Sequence, residues 1–465
     1  MLIAWRQNVQ RQTTSLWGKL RRDSNHPCSF GQGARIRQNS AKCHATGNAS
    51  DGWAHIQAAA LILAGEHPSE AKRRITVVWD LHAKSNVRSM PIDLVRLFTA
   101  LTCVLIGLTA LCNVSWIPLW MLQLGATEYG HWFAFAPLLI GLTGTRHPLS
   151  LGATLLALVA FAIFLSPVLR ASALAKRLPR ELEAAFGSVA IDEPAFAWRK
   201  LWFGSREQWV APVPLIYQQQ NEYTLRLDFY RSDSPRPAPC VIVLHTGGWN
   251  NGTPNEFLAL NSHLAHRGYA VAALEYRLAP RWRWPAQRED VLAALAFLKQ
   301  RAATLGIDPS RFVLLGRSAG GHIAEASACF LPDPAIRGCV AFYAPADMNF
   351  AYRYSDENDI LHSPKLLRDF LGGTPEQAPA NYDSASAIRF VKSATPPTLL
   401  LHGIPDPLVW FRQSERLAAT LASARTPHLL VALPWATHAF DYNFNGPSGQ
   451  VSTFAVDYFL AAVTK

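Results

Sequence analysis

Hydrophobic and polar positions divide the chain into two regimes. Leu97–Leu124 runs for 28 residues without a formal charge, and Ser150–Leu169 for another 20. Both clear the ~18–20 apolar residues that a membrane-spanning helix needs, and neither shows the polar face of a helix on a soluble protein. His131–Thr145 lies between them as a short third span or as half of a hairpin with the last one. From about Ile191 the pattern changes to short apolar runs that alternate with helical stretches. Strands are predicted at Val241–Leu244, Ala270–Leu274, Phe312–Leu315, Cys339–Phe342, Thr398–Leu401 and Leu429–Leu433. Helices are predicted at Arg288–Leu305, Gln413–Ala424 and Val451–Val463. Strand and helix in turn imply an α/β domain, a mostly parallel sheet covered by helices on both faces.

This gives four expected segments. Residues 1–89 are a poorly patterned basic extension, with Ala54–Gly65 as a short helix candidate and Met90 as an alternative start. Residues 90–170 hold two or three transmembrane helices, 171–190 a charged, partly helical linker, and 191–465 the α/β domain. A chain starting near Ala190 is expected to keep the chemistry of that domain. Trp116, Trp120 and Trp132 suit an interfacial belt. Basic residues flank both ends of the apolar region, which favours an even number of spans with both ends cytoplasmic. The side on which the domain lies stays open while the span count is open. The expected location is multi-pass, in a bacterial inner membrane.

Charge narrows the partners. The formal net charge is +11, but residues 1–96 hold 14 Lys/Arg against 6 Asp/Glu. The basic excess therefore belongs to the N-terminal segment, and the body of the chain is no nucleic-acid binder by charge. The seven cysteines form no CxxC pair and no zinc-spaced cluster with histidine, so neither a disulfide framework nor a metal site is expected.

The chemistry concentrates in the second regime. Gly316-Arg317-Ser318-Ala319-Gly320 matches G-x-S-x-G between a strand and a helix start. A sharp strand-to-helix turn needs small residues around an exposed nucleophile. Upstream, His245-Thr246-Gly247-Gly248-Trp249 follows another strand, and its glycines present bare N–H groups to an oxyanion. An acid and a histidine should follow the serine in that order. Asp406 and His438 lie just beyond two later strands, where open α/β sheets place their sites. Asp347 is the rival for the acid. Trp249, Tyr343, Trp435 and Phe440 are candidates for pocket walls, although each is more often core. Arg277 and Asp290 are a candidate ion pair, and His322 a packing or hydrogen-bonding residue under the site.

The glycine loop, Tyr276-Arg277-Leu278-Ala279-Pro280, the G-R-S-A-G-G-H turn and the late Asp and His together resemble the α/β-hydrolase superfamily, in its hormone-sensitive-lipase-like and acetyl-esterase branch. The resemblance covers roughly Leu215–Val463. It implies a serine hydrolase of small acyl esters with Ser318 as nucleophile, His438 as base and Asp406 as its partner. It places the oxyanion hole at the N–H groups of Gly247, Gly248 and Ala319 and implies no cofactor or metal; Trp249 and Tyr343, among the pocket-wall candidates, are taken as the substrate contacts. The membrane segment implies a lipid bilayer as the other partner. Thr246 stands where the family usually has glycine. Amide or peptide cleavage by the same triad, or a non-catalytic binding protein on the same fold, are the alternatives.

Overall fold

In strands Ala238–Leu244 and Ala270–Leu274 almost every side chain is buried, and alternate residues enter different cores. Cys240, Ile242 and Leu244 pack on one side with Ala270, Ala272 and Leu274, while Val241 and Val243 pack on the other with Val271 and Ala273. A strand buried on both faces is the sequence signature of a parallel sheet between helical layers. The computed structural model describes residues 67–465 except 113, 115 and 145–147. The helix expected at Ala54–Gly65 lies outside the described residues. Residues from Lys84 onward form one compact unit; Met1–Ala83 make a separate unit, of which residues 68–83 are helical.

The sheet has eight strands: β1 (Val213–Gln219), β2 (Thr224–Tyr230), β3 (Ala238–Leu244), β4 (Ala270–Leu274), β5 (Ile307–Arg317), β6 (Ile336–Phe342), β7 (Thr398–Gly403) and β8 (His428–Leu433). Their order is β1-β2-β4-β3-β5-β6-β7-β8, antiparallel at β1-β2-β4 and parallel from β4 to β8. All six strands expected from the sequence are present. The edge strand β1 and its neighbour β2 are not among the expected ones.

Four helices position the rest: α1 (Pro148–Phe186), α2 (Ala286–Gln300), α3 (Ala319–Phe330) and α4 (Pro447–Val463). Helices α2 and α3 close one face of the sheet; α4 and the C-terminal half of α1 close the other. Residues 171–186, read from the sequence as a partly helical linker, instead continue α1. They bury Ala171, Leu174, Leu178 and Leu182 in the same core as Val243 and Phe459. Their apolar side chains recur at helical spacing, which sends one face into the core although the opposite face is charged.

The apolar region holds the helices Pro68–Leu108, Ile117–Glu128, Gly130–Phe133 and Phe135–Leu142, followed by α1. Among the described residues, two stretches are long and apolar enough to cross a membrane, Pro91–Leu111 with a mean hydropathy of 2.1 and Pro148–Phe186 with 2.3 over its most apolar window. Arg96, one of the basic residues before the charge-free run Leu97–Leu124, is buried within the bundle. It pairs with Asp93 at 3.3 Å and donates to the Ile140 carbonyl at 2.6 Å and to Thr154 Oγ1 at 3.2 Å.

Candidate active site

Every predicted site residue lies beyond the C-terminal end of a parallel strand. The turn between β5 and α3 carries Ser318 at φ +53°, a positive value that a non-glycine residue rarely adopts. The turn closes only because Gly320 has no side chain: a Cβ there would sit 2.2 Å from the Leu244 carbonyl and 2.4 Å from that of His245. The elbow and the glycine loop are thus pressed backbone to backbone. Positive φ at a serine stores strain that the packed surroundings must hold, a pattern concentrated at functional sites.

Ser318 Oγ lies 3.0 Å from His438 Nε2, and His438 Nδ1 lies 2.7 Å from Asp406 Oδ2. Asp406 Oδ1 accepts the N–H groups of Leu408 and Val409, each at 2.9 Å, and Oδ2 also lies 3.4 Å from His402 Nε2. Burial alone would raise the Asp406 carboxyl, but the neighbouring His438 and His402 outweigh it and hold the group well below the usual carboxylate range. An ionised Asp406 fixes the proton of His438 on Nδ1 and leaves Nε2 free to accept one from Ser318. Asp347 stands elsewhere: it caps the helix Met348–Tyr354 by accepting from the Phe350 N–H at 3.0 Å and pairs with Arg416 at 2.6 Å.

Gly248, Trp249, Ser318 and Ala319 line one cavity of about 190 Å³ together with Phe350, Leu366, Leu367 and Trp410. Gly247 does not line it. Its carbonyl closes the turn by accepting from Asn250 and Asn251 at 3.2 and 3.0 Å, and a Cβ on it, at φ +104°, would lie 2.1 Å from the Asn251 carbonyl. Thr246 gives both its N–H (3.1 Å) and its hydroxyl (2.9 Å) to Glu256, which also forms a capping box with Thr253. The Thr246 side chain therefore braces the loop. Trp249 is held by stacking on Phe370, with ring centroids 4.4 Å apart, and by donating Nε1–H to His322 Nδ1 at 3.1 Å. His322 donates its Nε2–H to the Ala385 carbonyl at 2.8 Å, and burial pushes its pKa down to about 4.

Tyr343 departs from its expected place. It does not line the cavity; it is fully buried, with its ring on His438 and its hydroxyl bonded to Asp441. Its backbone, at φ +39°, turns the side chain away from the course that a strand end would give it. Trp435 and Phe440 are likewise core. Arg277 and Asp290 form the expected ion pair at 2.7 Å. Three groups that the sequence reading missed surround the site. Arg317, inside the elbow motif, pairs with Asp441; Glu256 braces Thr246; and Asp441 receives Tyr343. Only Glu256 carried a readable signal, the Thr-x-x-Glu spacing of a capping box. A larger cavity, about 600 Å³, lies by Ile336 and Pro397 at the opposite ends of β6 and β7, away from these groups.

Known proteins share this part of the chain. Residues 227–421 match the BD-FAE family model. The esterase LipQ of Mycobacterium tuberculosis is 31% identical over 249 residues, which cover 51% of this chain and 59% of LipQ. The probable carboxylic ester hydrolase LipM of the same organism is 30% identical over 253 residues, 51% of this chain and 58% of LipM. The chain thus spans less than two thirds of the length of these relatives. Among solved structures, an acetyl ester-xyloside bifunctional hydrolase from Caldicellulosiruptor lactoaceticus aligns over 50% of this chain and 89% of its own, at 25% identity and a TM-score of 0.43.

Proposed function

From the membership of this chain in the α/β-hydrolase superfamily, in its hormone-sensitive-lipase-like and acetyl-esterase branch, we propose that it hydrolyses carboxylic esters through a covalent acyl-enzyme on Ser318. The supporting observation is the continuous contact from Ser318 Oγ to His438 Nε2 at 3.0 Å and from His438 Nδ1 to Asp406 at 2.7 Å. Ser318 Oγ attacks the ester carbonyl as its proton passes to His438 Nε2. Asp406 holds the imidazole and stabilises the cation that forms. Negative charge collects on the carbonyl oxygen, toward which the N–H groups of Gly248 and Ala319 are proposed to point, with Gly247 setting the turn and serving as a further donor. Collapse of the tetrahedral intermediate expels the alcohol, which takes the proton from His438. Water, deprotonated by the same nitrogen, then releases the acid and restores Ser318.

The wall of Phe350, Leu366, Leu367 and Trp410 gives the apolar part of a small ester its place beside Ser318, with Trp249 completing the wall. A panel of p-nitrophenyl esters of increasing acyl length tests the activity, with Ser318→Ala as control. Hydrolysis that persists in that variant overturns the reading.

We also read Pro91–Leu111 and the apolar half of α1 as bilayer spans. Their hydropathy and the exposure of Phe98 (72%), Leu105 (58%) and Leu151 (60%) support this, since large apolar side chains facing outward need an apolar surrounding. Release of the full-length protein by a carbonate wash, without detergent, overturns it.

A further inference from the structure

Glu128 is the one acidic residue between Leu97 and Leu169, and it is fully buried. A carboxylate in such surroundings is costly unless it is hydrogen-bonded. Its partners lie 320 residues away in sequence, at the start of α4. Ser448 Oγ donates to Glu128 Oε1 at 2.6 Å and the Ser448 N–H to Oε2 at 3.2 Å. The Asn443 amide donates to the Glu128 backbone carbonyl at 3.0 Å. The first residues of α4 need such an acceptor: Gly446, at its N-cap, supplies no side-chain bond, and Pro447 follows it. The N–H of Ser448 is therefore one of the orphan donors of a helix start, where negative charge is also favoured by the helix dipole. Gly446 admits the carboxylate, since a Cβ there would lie 2.7 Å from Glu128 Oε2.

The same hydroxyl has a second partner. Trp435 donates its Nε1–H to Ser448 Oγ at 2.9 Å. Trp435 precedes His438 by three residues, and Asn443 and Ser448 follow it by five and ten. Glu128 thus grips the segment carrying His438 at its exit, and through Ser448 at its entry. Trp435, Ser448 and Glu128 are all buried, so no solvent competes for these bonds.

We infer that Glu128 is a positioning residue for His438: the apolar segment fixes the catalytic histidine of the domain against which it packs. This rests on the triad reading above. It also qualifies the expectation that a chain starting near Ala190 keeps the chemistry of the domain: such a chain lacks the acceptor for Ser448 and should turn over more slowly.

The test uses the full-length protein in detergent micelles, with p-nitrophenyl acetate as substrate and a fluorophosphonate as probe of Ser318. A displacement of about 1 Å at a reacting group costs up to ~10²-fold in rate. Glu128→Leu is therefore expected to lower kcat at least ~10-fold, with KM within about twofold of wild type. Fluorophosphonate labelling should slow by a similar factor, because it also needs the histidine. Glu128→Gln keeps an acceptor for the Ser448 hydroxyl and should recover most of the loss. Ser448→Ala, which removes only the hydroxyl, should show an intermediate loss and covers the case in which Glu128→Leu does not fold. Unchanged kcat in folded Glu128→Leu or Ser448→Ala, even with a lowered melting temperature, overturns the inference. Failure of the wild type to label at Ser318 overturns the triad reading instead.

Discussion

Tyr343 donates its hydroxyl to Asp441 at 2.5 Å while its ring centroid lies 4.3 Å from that of His438. Arg317, the residue before the nucleophile, meets the same carboxylate, and all three side chains are buried. One acid three residues beyond His438 thus ties the elbow of β5 to the loop after β8. Removing one member of a buried ion pair leaves an uncompensated charge, at a cost of about 3–5 kcal/mol. Arg317→Met should accordingly lower the melting temperature strongly, and the pair Arg317→Met with Asp441→Leu should recover part of it. Equal melting temperatures for Arg317→Met and wild type would show that the pair adds nothing.

Mutation of the proposed triad should separate it from the rival acid. Ser318→Ala and His438→Ala each remove a member of a unit and should lower kcat by ~10⁴-fold or more. Asp406→Asn should be severe as well. Asp347→Ala should stay near wild-type turnover and lose ~1 kcal/mol of stability as a helix cap. Steady-state kinetics on the four variants decides the assignment.

Thr246 hands its hydroxyl to Glu256 at 2.9 Å. Thr246→Val deletes a hydrogen bond to a carboxylate, which costs ~1.5–3 kcal/mol when buried and less at this partly exposed site. Turnover should change less than about tenfold, because no oxyanion donor is lost. A hundredfold loss in a folded variant would place the hydroxyl on the substrate. Gly247→Val, by contrast, drives its Cβ into the Asn251 carbonyl, must shift the loop, and should approach the ~10²–10³-fold loss of a displaced oxyanion donor.

His263 bridges two carboxylates, Glu207 at 2.9 Å and Asp457 at 2.8 Å. Burial would lower its pKa, but the two acids prevail and raise it to about 9. A group whose folded pKa exceeds its unfolded value of ~6.5 adds stability that is complete below ~6.5. That contribution fades as the pH rises through about 9. Thermal melts between pH 6 and pH 10 should show it, and His263→Phe should flatten this slope. An unchanged slope in His263→Phe would assign the pH dependence to other groups.

The parallel strands were legible because burial on both faces makes them short continuous apolar runs, as in Val241–Leu244. The edge strand β1 was not, since Pro214 interrupts its apolar start and only Tyr217 of its seven residues is buried. Ser318, Asp406 and His438 could be placed in order because each follows a strand that the pattern marks. Tyr343 could not be read correctly. An aromatic residue after a strand looks like a pocket wall, and its direction is set by Asp441, 98 residues later. Glu128 stood out as the lone acid of an apolar segment, but only the fold reveals Ser448 as its partner.

One helix, α1, begins in the apolar bundle and ends inside the core of the sheet, without a flexible joint between them. Seated in a bilayer, such a domain has no tether on which to swing. Its height above the lipid and the direction in which Ser318 opens would be set by the register of α1 together with the hold of Glu128 on Ser448. The Ser318 site would then have no reach of its own, and encounter with the proposed esters would depend on their diffusing to it.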